Sequence, residues 1–255
     1  MHLELEVLET GEFSVDTDLP VARGRENLCV RAFESLHPAD EFSFRIRSSI
    51  PLSGGLGSSA AAIVAGLLAA DHLFELDIDL LARATDIEGH PDNVAAAIHG
   101  GFVICADGGA TRFDPPTGLE AIAVIPELAV RTAEARRAIP AEVPIGDAVF
   151  NVAHASLLTL GLARGDWDLV SRGLRDRLHE QRRSHLFPRS YELAQRASAL
   201  GALGASISGA GPTVLVWCFY EQTGAVVEAL TPEVEGWATL VRAPFELQGA
   251  YVGEL

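Results

Sequence analysis

The 255-residue chain contains no lysine, so every basic side chain other than histidine is one of 19 arginines. A phosphate loop of the type that closes on Gly-Lys-Ser/Thr is therefore excluded, because its phosphate-gripping ammonium does not exist here. Schiff-base chemistry and a lysine general base are excluded for the same reason. Cysteine is scarce as well. Cys29, Cys105 and Cys218 are far apart, odd in number and form no C-x-x-C pair. That argues against a zinc site or a disulfide framework and suits buried thiols in a reducing cytosol. Positive charge is outweighed, with a formal net charge of −16. Such a surface repels polyanions, so no nucleic-acid partner is expected. Long hydrophobic runs are missing. The most apolar stretch, 60–70, is too short to cross a bilayer, and no charged start leads into an apolar signal segment. A cytoplasmic location with no membrane partner is the expectation.

What is present is apolar material for a core. Hydrophobic residues make up 48% of the chain and mean hydropathy is +0.21. Alternating residues predict strands at 3–8 and 42–46, and shorter apolar runs predict strands at 102–105, 111–113, 121–125, 205–208, 213–218 and 237–241. Helices are predicted at 26–34, from about Ser58 to Phe74, from an Asp77 cap to Glu88, at 92–98, 148–163, 167–178, 191–200 and 224–230. Asp107-Gly108-Gly109 is a hairpin turn. The absence of a regular βαβ alternation points to an α+β protein. Pro115 and Pro116 mark the best seam, giving domains 1–117 and 118–255.

The densest signal is Pro51-Leu52-Ser53-Gly54-Gly55-Leu56-Gly57-Ser58-Ser59-Ala60-Ala61, followed by a run apolar on all sides. Glycines let backbone approach a ligand closely. The first amides of the following helix have no internal partners and, with the helix dipole, form an anion site. An ordinary tight turn with Ser58 as N-cap is the plainer alternative, but a cap needs no glycine cluster. Gly55 to Ala60 also fits the dinucleotide fingerprint G-x-G-x-x-A. That fold needs a strand ending in an acid about 20 residues on, and 73–79 lies between two helices instead.

The whole string resembles the phosphate-binding motif of the GHMP kinases. Glu88-Gly89-His90-Pro91-Asp92-Asn93-Val94, closed by Gly100-Gly101, resembles the second signature of the homoserine kinases among them. Gly204 to Thr213, with Gly209 and Gly211, resembles the third GHMP motif, a glycine turn near the phosphates. The resemblance implies a GHMP kinase fold: an N-terminal domain like domain 2 of ribosomal protein S5 and a ferredoxin-like C-terminal domain. It implies ATP and Mg²⁺ as cofactors, with ATP held by residues 51–61, Asn27, Gly209 and Gly211, and Mg²⁺ by Ser59 and Glu88. It implies an L-homoserine site at His90, Asp92, Thr132, Arg136 and Arg183, and a possible homodimer. Two arginines can fork onto the homoserine carboxylate. Apart from the resemblance, Arg136 and Arg183 read as surface charge, His90 reads equally as a turn residue or a functional one, and Glu88 could be simply an exposed helix end.

The implied reaction is ATP-dependent phosphorylation of the L-homoserine hydroxyl, a step of threonine biosynthesis. No general base is assigned. Alternatives are a GHMP kinase for another small alcohol, or a nucleotide-binding module without catalysis. The second follows from a departure. The family opens with a strand and a loop of the type P-A-[ST]-[ST]-A-N-L-G-P-G-F-D, and Met1-His-Leu-Glu-Leu5 resembles the strand after it. A start further upstream or a shortened form would account for this. In the shortened form, weak activity and an exposed sheet edge are expected.

Overall fold

The computed structural model describes residues 1–128, 130 and 132–253, with the side chains of Thr132 and Ala133 outside that description. The chain divides into two compact units. The first is Met1–Pro51, Gly57–Phe113 and Glu246–Leu255, and the second is Leu52–Leu56 and Asp114–Phe245.

In the first unit, strands β1 (Leu3–Glu9), β2 (Ser14–Thr17) and β3 (Phe42–Ser48) form a sheet in the order β1-β3-β2. β3 is antiparallel to β1 and parallel to β2. Phe42, Phe44 and Ile46 face inward while Ser43, Arg45 and Arg47 alternate outward, as the period of 2 requires. Helix α1 (Leu28–Glu34) places Phe33 against Phe42 and Phe44. α2 (Ser58–Phe74) buries Ile63, Val64 and Leu67 against Ala84 of α3 (Leu80–Glu88) and Val94 of α4 (Asp92–His99). β4 (Phe102–Ala106) and β5 (Gly109–Phe113) form a hairpin turning on Asp107 and Gly108, both with positive φ.

In the second unit, β6 (Leu119–Pro126) is followed by α5 (Thr132–Arg137), α6 (Ile145–Arg164), α7 (Trp167–Gly173), α8 (Glu180–Arg183) and α9 (Pro188–Arg196). Then come β7 (Gly204–Ile207), β8 (Val214–Phe219), α10 (Thr223–Val234) and β9 (Ala238–Ala243). The sheet order is β7-β8-β6-β9 and every pair is antiparallel. This is the ferredoxin-like order, with the first and third strands side by side in the middle. Ile122, Val124, Val214 and Val216 pack against Leu193, Ala197, Val226 and Leu230 of the following helices. The architecture is α+β, as expected.

Several local expectations change. Asp79, not Asp77, caps α3 by accepting from the Ala82 amide (2.9 Å); Asp77 instead sits at φ 53°. The helix expected over 167–178 stops at Gly173. Asp176 draws in the amides of His179 and Glu180 (2.6 and 2.8 Å) and starts α8 afresh. α6 is longer than predicted. Among the described residues it is long and apolar enough to cross a membrane by length and composition, unlike the 60–70 stretch, and 11% of its most apolar part is buried.

Candidate active site

In the first unit the site begins at the mouth of α2. Gly57 is the N-cap, at φ 74° and ψ 19°, and it offers no side-chain hydrogen bond. Ser58 is thus the first helical residue and not the cap. A side chain at Gly57 would strain the left-handed backbone. The first intrahelical bond is from Ala61 N to Gly57 O (2.9 Å), which leaves the Ser58, Ser59 and Ala60 amides without helix partners.

Ser59 Oγ donates to Glu88 Oε2 at 2.5 Å. Glu88 is the last residue of α3, and Gly89 turns the chain with φ 88°. That turn brings His90 back over the helix end. His90 Nδ1 lies 2.6 Å from Asp92 Oδ1, and Nε2 lies 4.0 Å from Glu88 Oε1. Asp92 also accepts from the Asn93 amide (2.8 Å). One connected row results, Ser59–Glu88–His90–Asp92. Glu88 is largely enclosed, with 13% of its side chain exposed, so it is not the exposed helix end that composition alone suggests. Its hard oxygens and the lone pairs of the Ser59 hydroxyl suit a small divalent cation.

Asn27 is buried and capped into the fold. Its Oδ1 accepts from Cys29 N (2.9 Å) and its Nδ2 donates to Ala22 O (2.9 Å).

In the second unit the segment Leu52–Leu56 lies on the turn between β7 and β8. Thr213 N donates to Gly54 O (3.3 Å), and Ser208 Oγ donates to Gly55 O (2.7 Å). Gly55 has φ 78°, and a Cβ there would sit 2.2 Å from Ser208 O. The two glycine motifs, over 150 residues apart in sequence, therefore form one backbone cradle. Gly209 faces Gly55 O, whereas Gly211 backs onto the Phe187 ring.

Arg183 is not surface charge. It is 9% exposed, and it donates from Nε to Ala135 O (2.9 Å) and from Nη1 to Gly209 O (3.2 Å). Burial lowers its pKa from the usual arginine value; Asp176 opposes this and the Arg136 charge adds to it. Arg136 is exposed at the end of α5, and its side chain has no hydrogen bond or ion pair among the described residues. Thr132 lies outside the described side chains.

Sequence reasoning missed Glu180. It is 8% exposed, and its Oε1 accepts from Ile207 N (2.8 Å). Burial pushes its carboxyl up to about 7; the Ile207 amide acts against this, Asp176 adds to it, and His179 opposes it. Nothing local in His-Glu-Gln-Arg-Arg signals a buried carboxyl.

Residues 27–101 match the family model of the GHMP kinase N-terminal domain, and 158–233 match that of the GHMP kinase C-terminal domain. With the folds of the two units, they define a kinase of the GHMP class. The chain is 40% identical over 234 residues to the homoserine kinase of Synechococcus sp. (strain CC9311), covering 87% of this chain and 74% of that one. It is 38% identical over 235 residues to the homoserine kinase of Prochlorococcus marinus (strain MIT 9515), covering 87% of this chain and 75% of that one. The crystal structure of homoserine kinase from Cytophaga hutchinsonii superposes with a TM-score of 0.84 at 25% identity, covering 97% of this chain and 86% of that one. The chain belongs to the homoserine kinase family.

Proposed function

We propose that this chain transfers the γ-phosphoryl group of ATP to the side-chain hydroxyl of L-homoserine, yielding O-phospho-L-homoserine and ADP on the route to threonine. The observation that supports this most is the mouth of α2: a glycine cap with no side-chain bond, three amides without helix partners, and Ser59 on Glu88. Amides aimed outward at a helix start favour phosphate oxygens. In the first unit the Ser58 to Ala60 amides, and in the second the Leu52–Leu56 cradle, each offer donors to phosphate oxygens. Ser59 and Glu88 would hold Mg²⁺, which supplies neutralisation of phosphate charge when bound. Arg183 and Arg136 take the homoserine carboxylate, and His90, fixed by Asp92, contacts the acceptor. Phosphoryl transfer passes through a loose transition state, so alignment and charge placement supply most of the rate. No side chain is assigned as base.

The test is coupled ADP release with ATP, Mg²⁺ and a panel of L-homoserine, mevalonate and shikimate. Turnover with homoserine well above the other acceptors is expected. Preference for another alcohol overturns the substrate, and ATP binding without turnover on any acceptor leaves a nucleotide-binding module.

Self-association into a homodimer belongs to the same reading. α6 exposes Ile145, Val149, Val152 and Leu160 at 80, 62, 69 and 45%. At 100° per residue these share one face. An apolar face of this length favours a second copy, because a two-fold pairing buries both faces at once. Light scattering should give a dimer for the wild type and a monomer for Val152→Glu. Sedimentation of the wild type with lipid vesicles instead would assign the face to a membrane.

A further inference from the structure

The short helix α8 touches the glycine turn on both sides of Ser208. Before it, Ile207 N donates to Glu180 Oε1 (2.8 Å). After it, Gly209 O accepts from Arg183 Nη1 (3.2 Å). Ser208 is the pivot of the turn. Its amide donates to Thr213 O (2.9 Å), its carbonyl accepts from Gly211 N (2.8 Å), and its hydroxyl donates to Gly55 O (2.7 Å). The position of Ser208 therefore sets the position of Gly55 in the cradle. Arg183 is also tied to Ala135 O (2.9 Å), so one side of the clamp is anchored to α5. On the other side Ile207, paired with Val214 of β8, is held from α8 by the Glu180 carboxyl.

We propose that Glu180 is a positioning residue for ATP: its carboxylate holds Ile207, and through Ser208 it holds the glycine cradle in the shape that receives the phosphates. This rests on the reading of the Gly54 to Ala60 segment as the phosphate site. Glu180 touches no substrate. It acts through the backbone of the turn.

The groups around Glu180 make this grip depend on pH. Its carboxyl is pushed up to about 7, first by burial and further by Asp176, against the Ile207 amide and His179. Asp176 is itself held ionised, well below the usual carboxylate range, by hydrogen bonds from His179, Asn151 and the amides of Glu180 and His179 that outweigh its burial. Arg183, three residues on, turns to carbonyls. β7 presents the Ile207 amide to the carboxyl. A carboxylate accepts a stronger hydrogen bond than the carbonyl of a carboxylic acid. The grip is thus firm above pH 7 and relaxes below it.

The experiment is calorimetric titration of ATP into wild type and Glu180→Gln at pH 6 and pH 8, beside melting curves and homoserine-dependent ADP release. Glutamine keeps an acceptor but not the charge. The ratio of the two Kd values cancels the titration of the nucleotide itself. It is expected to be roughly 10 at pH 8 and to fall towards 1 at pH 6. Melting should move the other way. A carboxyl whose folded pKa lies above its unfolded value binds more protons in the folded state, so stability falls as pH rises from about 4.5 to about 7. Glutamine removes that deficit, so the variant should melt no lower than wild type at pH 8 while binding ATP more weakly. A purely structural role would move both in the same direction. A ratio near 1 at both values, or one that ignores pH, overturns the inference. ATP binding that follows the expected ratios without ADP release on homoserine supports Glu180 and overturns the proposed function. Turnover on homoserine with an unchanged ratio does the reverse. No ATP binding at either pH overturns both.

Discussion

Glu88→Ala is expected to cut homoserine-dependent ADP release roughly 100- to 1000-fold while leaving the fold intact. The fold should survive because Glu88 ends α3 and its hydrogen-bond partner is the hydroxyl of Ser59. Leaving that hydroxyl without its acceptor costs about 1 kcal/mol, a shift of about 3 °C in melting for a chain of this size. The activity effect depends on sign. A carboxylate beside nucleotide phosphates and without a cation repels them, by about 4 kcal/mol for unit charges 4 Å apart at an effective dielectric constant of 20. Its removal would then tighten ATP binding. With a cation between them the same removal weakens binding and slows turnover. Glu88→Gln separates the two roles further, because the amide oxygen still accepts from Ser59 but carries no charge. If Glu88 only orders Ser59, Gln restores the rate; if it holds Mg²⁺, Gln stays as slow as Ala. Steady-state rates over a magnesium titration decide this, and near-normal turnover of Glu88→Ala at low magnesium would remove Glu88 from the site.

The motifs were legible because they are local. The start of α2 at Ser58, the stop at Gly89 and the hairpin at Asp107 follow from residues adjacent in sequence, and the structure has all three. The ferredoxin-like sheet followed from the resemblance and not from periodicity. What composition alone could not give was long-range contact. Arg183 and its neighbour Arg182 look alike in sequence. Arg182 pairs with Asp147 on α6, whereas Arg183 turns into the protein towards Ala135 and Gly209. Asp77 and Asp79 are equally good cap residues, and the choice falls to the one with extended backbone, since Asp79 sits at φ −72° and ψ 91°. β2 is only four residues long, and its Ser-Val-Asp-Thr is too short and polar to stand out before β3 offers it a parallel partner. Glu180 would need knowledge that Ile207 lies beside it, a contact spanning 27 residues.

Gly55→Ala is expected to destabilise the second unit by roughly 3–5 kcal/mol, from two separable causes. Left-handed backbone costs a residue with a Cβ about 1–2 kcal/mol. The remainder is steric, because the new methyl would lie 2.2 Å from Ser208 O and 3.0 Å from Gly211 O, both backbone atoms. Backbone cannot rotate away as a side-chain tip does, and overpacking of this kind costs about 1–3 kcal/mol or more. Gly118 isolates the first cause. It lies in the same unit with φ 88°, and a Cβ there meets nothing within 4 Å. Gly118→Ala should therefore cost only about 1–2 kcal/mol in urea unfolding, and the difference between the two variants measures the contact with the β7–β8 turn. ATP affinity should fall with Gly55→Ala, since relief of the clash must push Ser208 and the cradle apart, and should hold with Gly118→Ala. Equal destabilisation by the two alanines would mean that Gly55 is a glycine for its φ alone, and that the two glycine motifs do not depend on one another.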